Sequence, residues 1–493
     1  MSWHFSANLW IYSDNMTPNG LLAGIDVGTT HVKVGFFDER GGEAATVRRR
    51  TPPDLPALVT AVTEALGECA ERAGRGPEAI GIAGMAETGV PLDVQGRPLT
   101  PLIWWNDPRG AAEIAGLKPD DAALYAATGR WADAKAPLAK WMWLGRHEPP
   151  LLKAMRWWAG VPEAVAYALT GVLRSNATLA ARTLAYDVRT GRYDPDLTAH
   201  AGIGPDRLPP VIGATEPVGG LNVDVNGVRR GVPVVIAGHD HAVGAWAAGV
   251  RRPGDVADSL GTAEALMVPA ETAPGPRTGI ALGVTADPSL DGARTVLVGG
   301  LPTSGAMLDW VLRLVGGKGY DDLPELLEEV RLPTGIVVEP YLRGRVAPAP
   351  DRERRAVLAG LDAAHGPGEL LAAVVEGTCL HARWMLDELA AVAGVVPERL
   401  AVFGGQVRIP AWMRIKAAVS PVPVEIVRSG DAVCAGAALI AGQAGGSPAD
   451  VPVLPLERHP EDSALRAAYL PGYDAFLARA THSTNPSPER EHA

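Results

Sequence analysis

The strongest constraint in this sequence is a strand-turn-strand loop that occurs twice. Near the start, Leu21 to Val27 reads as an apolar strand, Gly28-Thr29-Thr30 as a tight turn, and His31 to Phe37 as an alternating second strand. About 230 residues later the order returns as Asp255 to Leu260, the turn Gly261-Thr262, and Ala263 to Val268. A period that long is no solenoid; it predicts two related domains facing each other across a cleft. In the first half, Glu43 to Arg49 adds a third strand, Leu58 to Arg72 has helical periodicity and Ala79 to Ala83 returns to strand. In the second, a long helix over Glu369 to Ala393 leads to a strand at Leu400 to Phe403, a helix at Ala411 to Val419 and a strand at Val424 to Val427. Strands alternating with helices imply a layered α/β fold.

Length agrees, because 493 residues exceed one compact core and suit two domains of about 200 residues. The expected division is an extension over 1–20 without fixed structure, an N-terminal domain over 21–248, a C-terminal domain over 249–445, and a tail over 446–493. Within that tail, Gly445 to Pro455 reads as a Gly/Pro/Ser-rich linker. A helix over Glu461 to Leu470 should stop at Pro471-Gly472 before a second from Tyr473 to Ala480, and the residues from Thr481 onward read as disordered.

Each turn has phosphate-binding chemistry. Gly28 lets backbone approach a phosphate closely, and the amides and hydroxyls of Thr29 and Thr30 can hold its oxygens, with Lys33 adding positive charge nearby. Asp26, at the strand end, is placed to organise a hydrated Mg²⁺. Gly261 and Thr262 repeat the donors and would grip the far end of a triphosphate; alone, either loop could be an ordinary hairpin. Between them, Gly238-His239-Asp240-His241 follows the apolar strand Val234 to Ala237, which puts the Asp240 carboxylate at a strand end, where it can accept a proton from a hydroxyl. Consecutive His-Asp-His is expected to point its side chains apart, which argues against a shared structural metal; His241 could meet a substrate and His239 suits a structural role. Gly404-Gly405-Gln406, between a strand and a helix, suits backbone contact with adenine or ribose.

Composition excludes other classes. Hydrophobic residues make up 47% of the chain, which argues against disorder. Acidic residues number 56 against 45 basic, a net charge of −11 that disfavours nucleic acid, and Arg48 to Arg50 and Arg352 to Arg355 read as solvated surface. Cys69, Cys379 and Cys434 form no disulfide framework or metal spacing and read as buried thiols. No apolar run reaches the roughly 18 residues of a membrane span, and the first twenty residues lack a secretory pattern. A soluble cytoplasmic protein is expected, with Met1 and Met16 both candidate starts. Oligomeric state is open between monomer and homodimer.

Several segments in order resemble the FGGY carbohydrate kinase family over residues 20–445. Asp26 to Lys33 is similar to its Asp-x-Gly-Thr-Thr-x-x-Lys loop, and Gly81 to Glu87 to its first substrate strand and loop. Trp105-Asn106-Asp107-Pro108-Arg109 resembles its Trp-Asn-Asp-x-Arg segment, and Asp240 falls where the family carries its catalytic aspartate. Ser259 to Thr262 resembles the second phosphate loop, Gly299 to Gly305 the Gly-Gly-x-x-x-Ser-Gly segment, and Gly404-Gly405 and Ser429 to Ala438 the adenosine site and the helix after it. The resemblance implies a duplicated actin-like (ribonuclease H-like) ATPase fold and phosphorylation of a terminal hydroxyl of a small sugar or polyol with ATP and Mg²⁺. It makes Asp240 the base and Asp26 a metal or phosphate organiser. Met85, Glu87, Trp105, Asn106, Asp107, Arg109 and His241 become sugar-binding candidates, and Gly300, Ser304, Gly404, Gly405 and Gln406 nucleotide-binding ones.

Departures bear on specificity. The third glycine of the usual adenosine Gly-Gly-Gly is Gln406, and Pro340 to Arg345 lacks the Gly-Glu-Arg ending of the family segment. Where xylulose kinases show Gln-Met-His and glycerol kinases Gln-Arg-Glu, this chain has Met85-Ala86-Glu87: Glu87 agrees with glycerol kinases, and Ala86 lacks their arginine. Pentulose, hexulose, linear polyol and aldonate substrates all fit. Two further readings stay open, an actin-like regulatory ATPase and a sugar sensor without turnover.

Overall fold

The structure, a computed structural model, describes residues 20–482 apart from 118–120, 318 and 328–329. The expected disorder over 1–19 and 483–493 lies outside the described residues.

Two large mixed sheets dominate. The first contains β1 (Leu22–Val27), β2 (His31–Phe37), β3 (Glu43–Arg50), β4 (Ala79–Gly84), β5 (Pro217–Gly220) and β6 (Pro233–His239), in the order β5-β6-β4-β1-β2-β3. The second contains β7 (Asp255–Leu260), β8 (Glu264–Ala270), β9 (Thr285–Pro288), β10 (Thr295–Leu301), β11 (Arg399–Phe403), β12 (Val424–Val427) and β13 (Leu456–Arg458), in the order β9-β10-β8-β7-β11-β12-β13. Each sheet has the same five-strand centre. A hairpin joins the first two strands, the third adds antiparallel, the fourth lies parallel to the first, and the fifth parallel to the fourth. The repeated sequence pattern is thus a repeated topology. Every residue of β1 and β4 is buried, because both faces of the parallel centre are covered.

The helix expected from Leu58 starts earlier, at Leu55. Asp54 caps it by accepting from the Ala57 amide at 2.9 Å, and Pro56 sits in the first turn, where its missing N–H is harmless.

A helix follows the fifth strand in each half: α1 (Asp240–Ala247) after β6 and α2 (Ala432–Gly442) after β12. Each reaches the other half. A Cβ placed on Gly24 of β1 would lie 1.8 Å from the Cys434 carbonyl, and one on Gly81 of β4 1.8 Å from the Ala437 carbonyl, so α2 seats directly on the first sheet. A Cβ on Gly244 of α1 would lie 2.4 Å from the Phe403 ring of β11. The resulting junction core is built mostly of small residues, Ala83, Ala237, Ala257, Ala401, Ala435 and Ala438 among them. Cys69, Cys379 and Cys434 are all buried and free, as expected.

One expectation fails in the tail. One helix, Ser463–Thr481, runs through Pro471 instead of stopping there. Leu465, Tyr469, Phe476 and Ala480 are buried on both sides of the proline, and that docking outweighs the roughly 3 kcal/mol a helical proline costs. The segment after Gly445 is packed: Val451 and Leu454 are buried, and Arg251 and Trp246 donate to the carbonyls of Ala449, Val451 and Pro448. Among the described residues, no helix is long and apolar enough to cross a membrane.

Candidate active site

The two turns present their donors to solvent. Gly28 donates to the His31 carbonyl at 3.1 Å and Gly261 to that of Ala263 at 2.9 Å, closing both hairpins and leaving Thr29, Thr30 and Thr262 exposed. The first helical residues after β10 brace the second turn, with the Gly305 and Ala306 amides donating to the carbonyls of Gly261 and Thr262. Gly404 has a φ of 117° and passes so close to Leu260 that a side chain would collide with its carbonyl, which brings Gly404-Gly405-Gln406 alongside the second turn. Gln406 is buried, with Nε2 over Gly305 and Oε1 without a partner.

Lys33 does not stand free to bind phosphate. Its Nζ lies 3.2 Å from Asp26 and 2.5 Å from Asp431, the residue that caps α2, so it ties the first hairpin to the second half. Burial drives the Asp26 pKa up to about 7 despite Lys33, with Asp431 and Asp240 adding to the rise. Asp26 Oδ1 is buried without a partner, and with the Asp431 and Asp240 carboxylates near enough to act on it, that oxygen fits a hydrated Mg²⁺.

Asp240 is the first residue of α1, where the helix N-terminus favours an anion. Burial would raise its pKa, but His241, His239, the His241 amide and Arg182 outweigh that and hold it below the usual carboxylate range. His239 Nε2 lies 3.1 Å from Asp240 Oδ1. Thr178 accepts from the His239 amide at 2.9 Å, and burial lowers the ring's pKa to about 4. His241 Nδ1 is 2.9 Å from Ser259 Oγ. The three consecutive side chains do not diverge as expected; their ligand atoms lie within 4.8 Å of one another, because the strand-to-helix turn folds both rings to one side.

The predicted sugar loop leaves β4 where Gly84 pairs with His239, the residue before Asp240. Met85 is buried, and Glu87 takes a left-handed φ of 63°, unusual for a residue with a side chain. Arg182 holds its carboxylate at 2.5 Å and also reaches Asp287 at 3.4 Å, while Arg130 pairs with Asp287. Burial would raise the Glu87 pKa, but Arg182 and Arg130 pull it below the usual range. Trp105 donates from Nε1 to Thr29 at 3.0 Å, joining sugar loop to phosphate loop, and Asn106 is exposed beside it. Asp107 and Arg109 pair with each other at 2.8 Å, and Arg109 lies 5.0 Å over Trp143.

Two further nucleotide candidates, Ser304 and Gly300, lie next to the second turn but have their groups committed within the protein. Ser304 is fully buried, its hydroxyl donating to Glu264 at 2.8 Å, and Glu264 pairs with the buried Lys416, which also grips Asp258. Gly300 lies within β10, paired with Ala265. The sequence reading missed Arg182, Arg130, Asp287 and the Lys33–Asp431 tie, all made across long separations with no local signal.

A duplicated mixed sheet with a glycine-threonine hairpin at the head of each half defines an actin-like ATPase fold. Residues 21–247 match the FGGY family of carbohydrate kinases, N-terminal domain, and residues 256–445 its C-terminal domain. The chain belongs to that family. It is 28% identical to a xylulose kinase of Escherichia coli (strain K12), over 92% of this chain and 98% of the relative. To a glycerol kinase of Rhodospirillum rubrum it is 30% identical, over 87% and 92%. The crystal structure of xylulose kinase from Rhodospirillum rubrum superposes with a TM-score of 0.80 at 27% identity, covering 93% of this chain and 98% of that one. The protein is a carbohydrate kinase that transfers phosphate from ATP with Mg²⁺ to an alcohol group. Nothing in these likenesses supports a regulatory ATPase or a sensor without turnover.

Proposed function

We propose that this kinase phosphorylates a terminal hydroxyl of a small ketose or polyol, with Asp240 as the base. The observation that carries the reading is Asp240 at the start of α1, flanked by His239, which pairs with Gly84 at the head of the sugar loop, and by His241, whose ring lies 2.9 Å from Ser259 before the second turn. The low pKa of Asp240 keeps it anionic at neutral pH, so it orients the hydroxyl and takes its proton as the new O–P bond forms and the bond from the γ-phosphorus to the departing ADP oxygen breaks. Glu87 and the exposed Asn106 would accept and donate to sugar hydroxyls, and Trp105 would form a wall, held by its bond to Thr29. Thr29, Thr30, Gly261 and Thr262 would hold phosphate oxygens. Asp26 would hold Mg²⁺ through water, and Mg²⁺ supplies charge neutralisation at the phosphates. Closure of the two halves would exclude water from the transfer.

The missing arginine at position 86 has a spatial substitute. Arg182 places a guanidinium against Glu87, so the pocket keeps the acid–arginine pair on a different strut.

The test is ADP release over D-xylulose, L-fuculose, apulose, glycerol and gluconate with wild type and Asp240→Asn. Losing a general base costs about 10²–10⁴ in rate, so kcat on the preferred sugar should fall that far with the KM for ATP unchanged. Retained turnover by the Asn variant removes Asp240 from the role.

A further inference from the structure

The half of the chain that carries the second phosphate turn also reaches into the sugar loop. Asp287 belongs to β9 at the edge of the second sheet, yet its carboxylate pairs with Arg130 and lies 3.4 Å from Arg182, both from the first half. Arg182 in turn donates from Nε at 2.8 Å and from a terminal nitrogen at 2.5 Å to one oxygen of Glu87. The four side chains are each 17% exposed or less. A fixed backbone contact sets the spacing: Ala286 donates to the Gly129 carbonyl at 3.0 Å, and Tyr125 to that of Val284 at 2.8 Å. Asp287 therefore cannot drift from Arg130, the residue after Gly129.

We propose that Asp287 is a positioning residue for sugar recognition, acting through Arg182 on Glu87. Three facts support it. Glu87 sits in a left-handed backbone conformation, so an outside restraint must hold it. Arg182 is the cation that supplies the restraint, and without Asp287 it would be free to swing toward Glu87 in other geometries. Arg130 keeps a buried Nε with no acceptor, a donor left over in a cluster otherwise paired. The sugar pocket is thus completed by the nucleotide-binding half, so its specificity depends on how the halves meet. This rests on the proposed role of Glu87 in binding sugar.

The probes are D-xylulose and glycerol, with ATP. Asp287→Asn should raise the sugar KM at least tenfold, leave kcat within threefold and leave the KM for ATP unchanged; Asp287→Glu should recover part of the loss. A fall confined to kcat, or an equal rise in the KM for ATP, overturns the proposal. The second arm needs no sugar: thermal midpoints of wild type, Glu87→Gln, Asp287→Asn and the double variant. The double variant should fall clearly short of the summed single shifts, since both break one chain. Additive shifts overturn the proposal even if wild type turns over neither probe, whereas absent turnover on these and on L-fuculose, apulose and gluconate, with non-additive shifts, counts against the functional reading alone.

Discussion

Replacing Gly81 by alanine tests how closely α2 is seated on the first sheet. The added Cβ would sit 1.8 Å from the Ala437 carbonyl oxygen and 2.5 Å from its carbon, whereas real Cβ contacts essentially never fall under 3.0 Å. Side-chain rotation cannot relieve this, because the obstacle is backbone, so helix and sheet must part by more than an ångström. The residues around it, Cys434, Ala435, Ala437, Ala438 and Ala441, are fully buried and have no slack. Overpacking costs about 1–3 kcal/mol, and a backbone obstacle puts this case near 3. At about 2–4 °C per kcal/mol for domains of this size, the midpoint should fall by about 6–12 °C. The displacement also loosens function, since Asp431 at the start of α2 holds Lys33 at 2.5 Å. Thermal unfolding by circular dichroism and the KM for ATP are the assays. A midpoint within 2 °C of wild type, or a large fall with an unchanged KM for ATP, would refute one or the other half of this reasoning.

Two further outcomes follow from buried charge. Lys416→Met strands Asp258 and Glu264 side by side; breaking such a buried pair costs about 3–5 kcal/mol, and the loss in urea unfolding should be smaller at pH 5 than at pH 8, because Asp258, already raised to about 7 by burial, then protonates more readily. A loss independent of pH would refute the placement. His381, fully buried, has its pKa lowered to about 3 by burial, against about 6.5 unfolded. Its neutral form stabilises the fold above pH 6.5, and that contribution is lost as pH falls toward 3. At pH 4.5 most of that contribution, on the order of 3 kcal/mol, is gone, so His381→Gln should lose less stability than wild type between pH 7 and 4.5; equal slopes would count against it.

Sequence carried the parts of this molecule made by neighbours in the chain. The hairpins around Gly28 and Gly261 announce themselves by period-two alternation and a glycine turn, and both stand where expected. Asp240 is legible for the same reason, as a carboxylate where an apolar strand ends. Ser304 shows the limit: a serine opening a helix after two glycines suits a ligand or the core equally, and its hydroxyl is committed to Glu264. The link from Glu87 to Asp287 through Arg182 spans 95 and 105 positions, and no local pattern encodes which distant arginine meets which acid. The tail helix failed for a third reason, since propensity stops at Pro471 and tertiary docking does not.

The exchange of α1 and α2 between the sheets has a consequence for how the two halves can exist apart. Cut near residue 250, the first fragment would carry Gly24 and Gly81 as a bare groove, with the α2 that fills it left on the other piece. The second fragment would in turn keep an uncovered Phe403. Each fragment is the missing wall of its partner, so the two should reassemble when mixed and aggregate when kept separate. The repeat is visible as two units in the sequence, but as a folding body it is one.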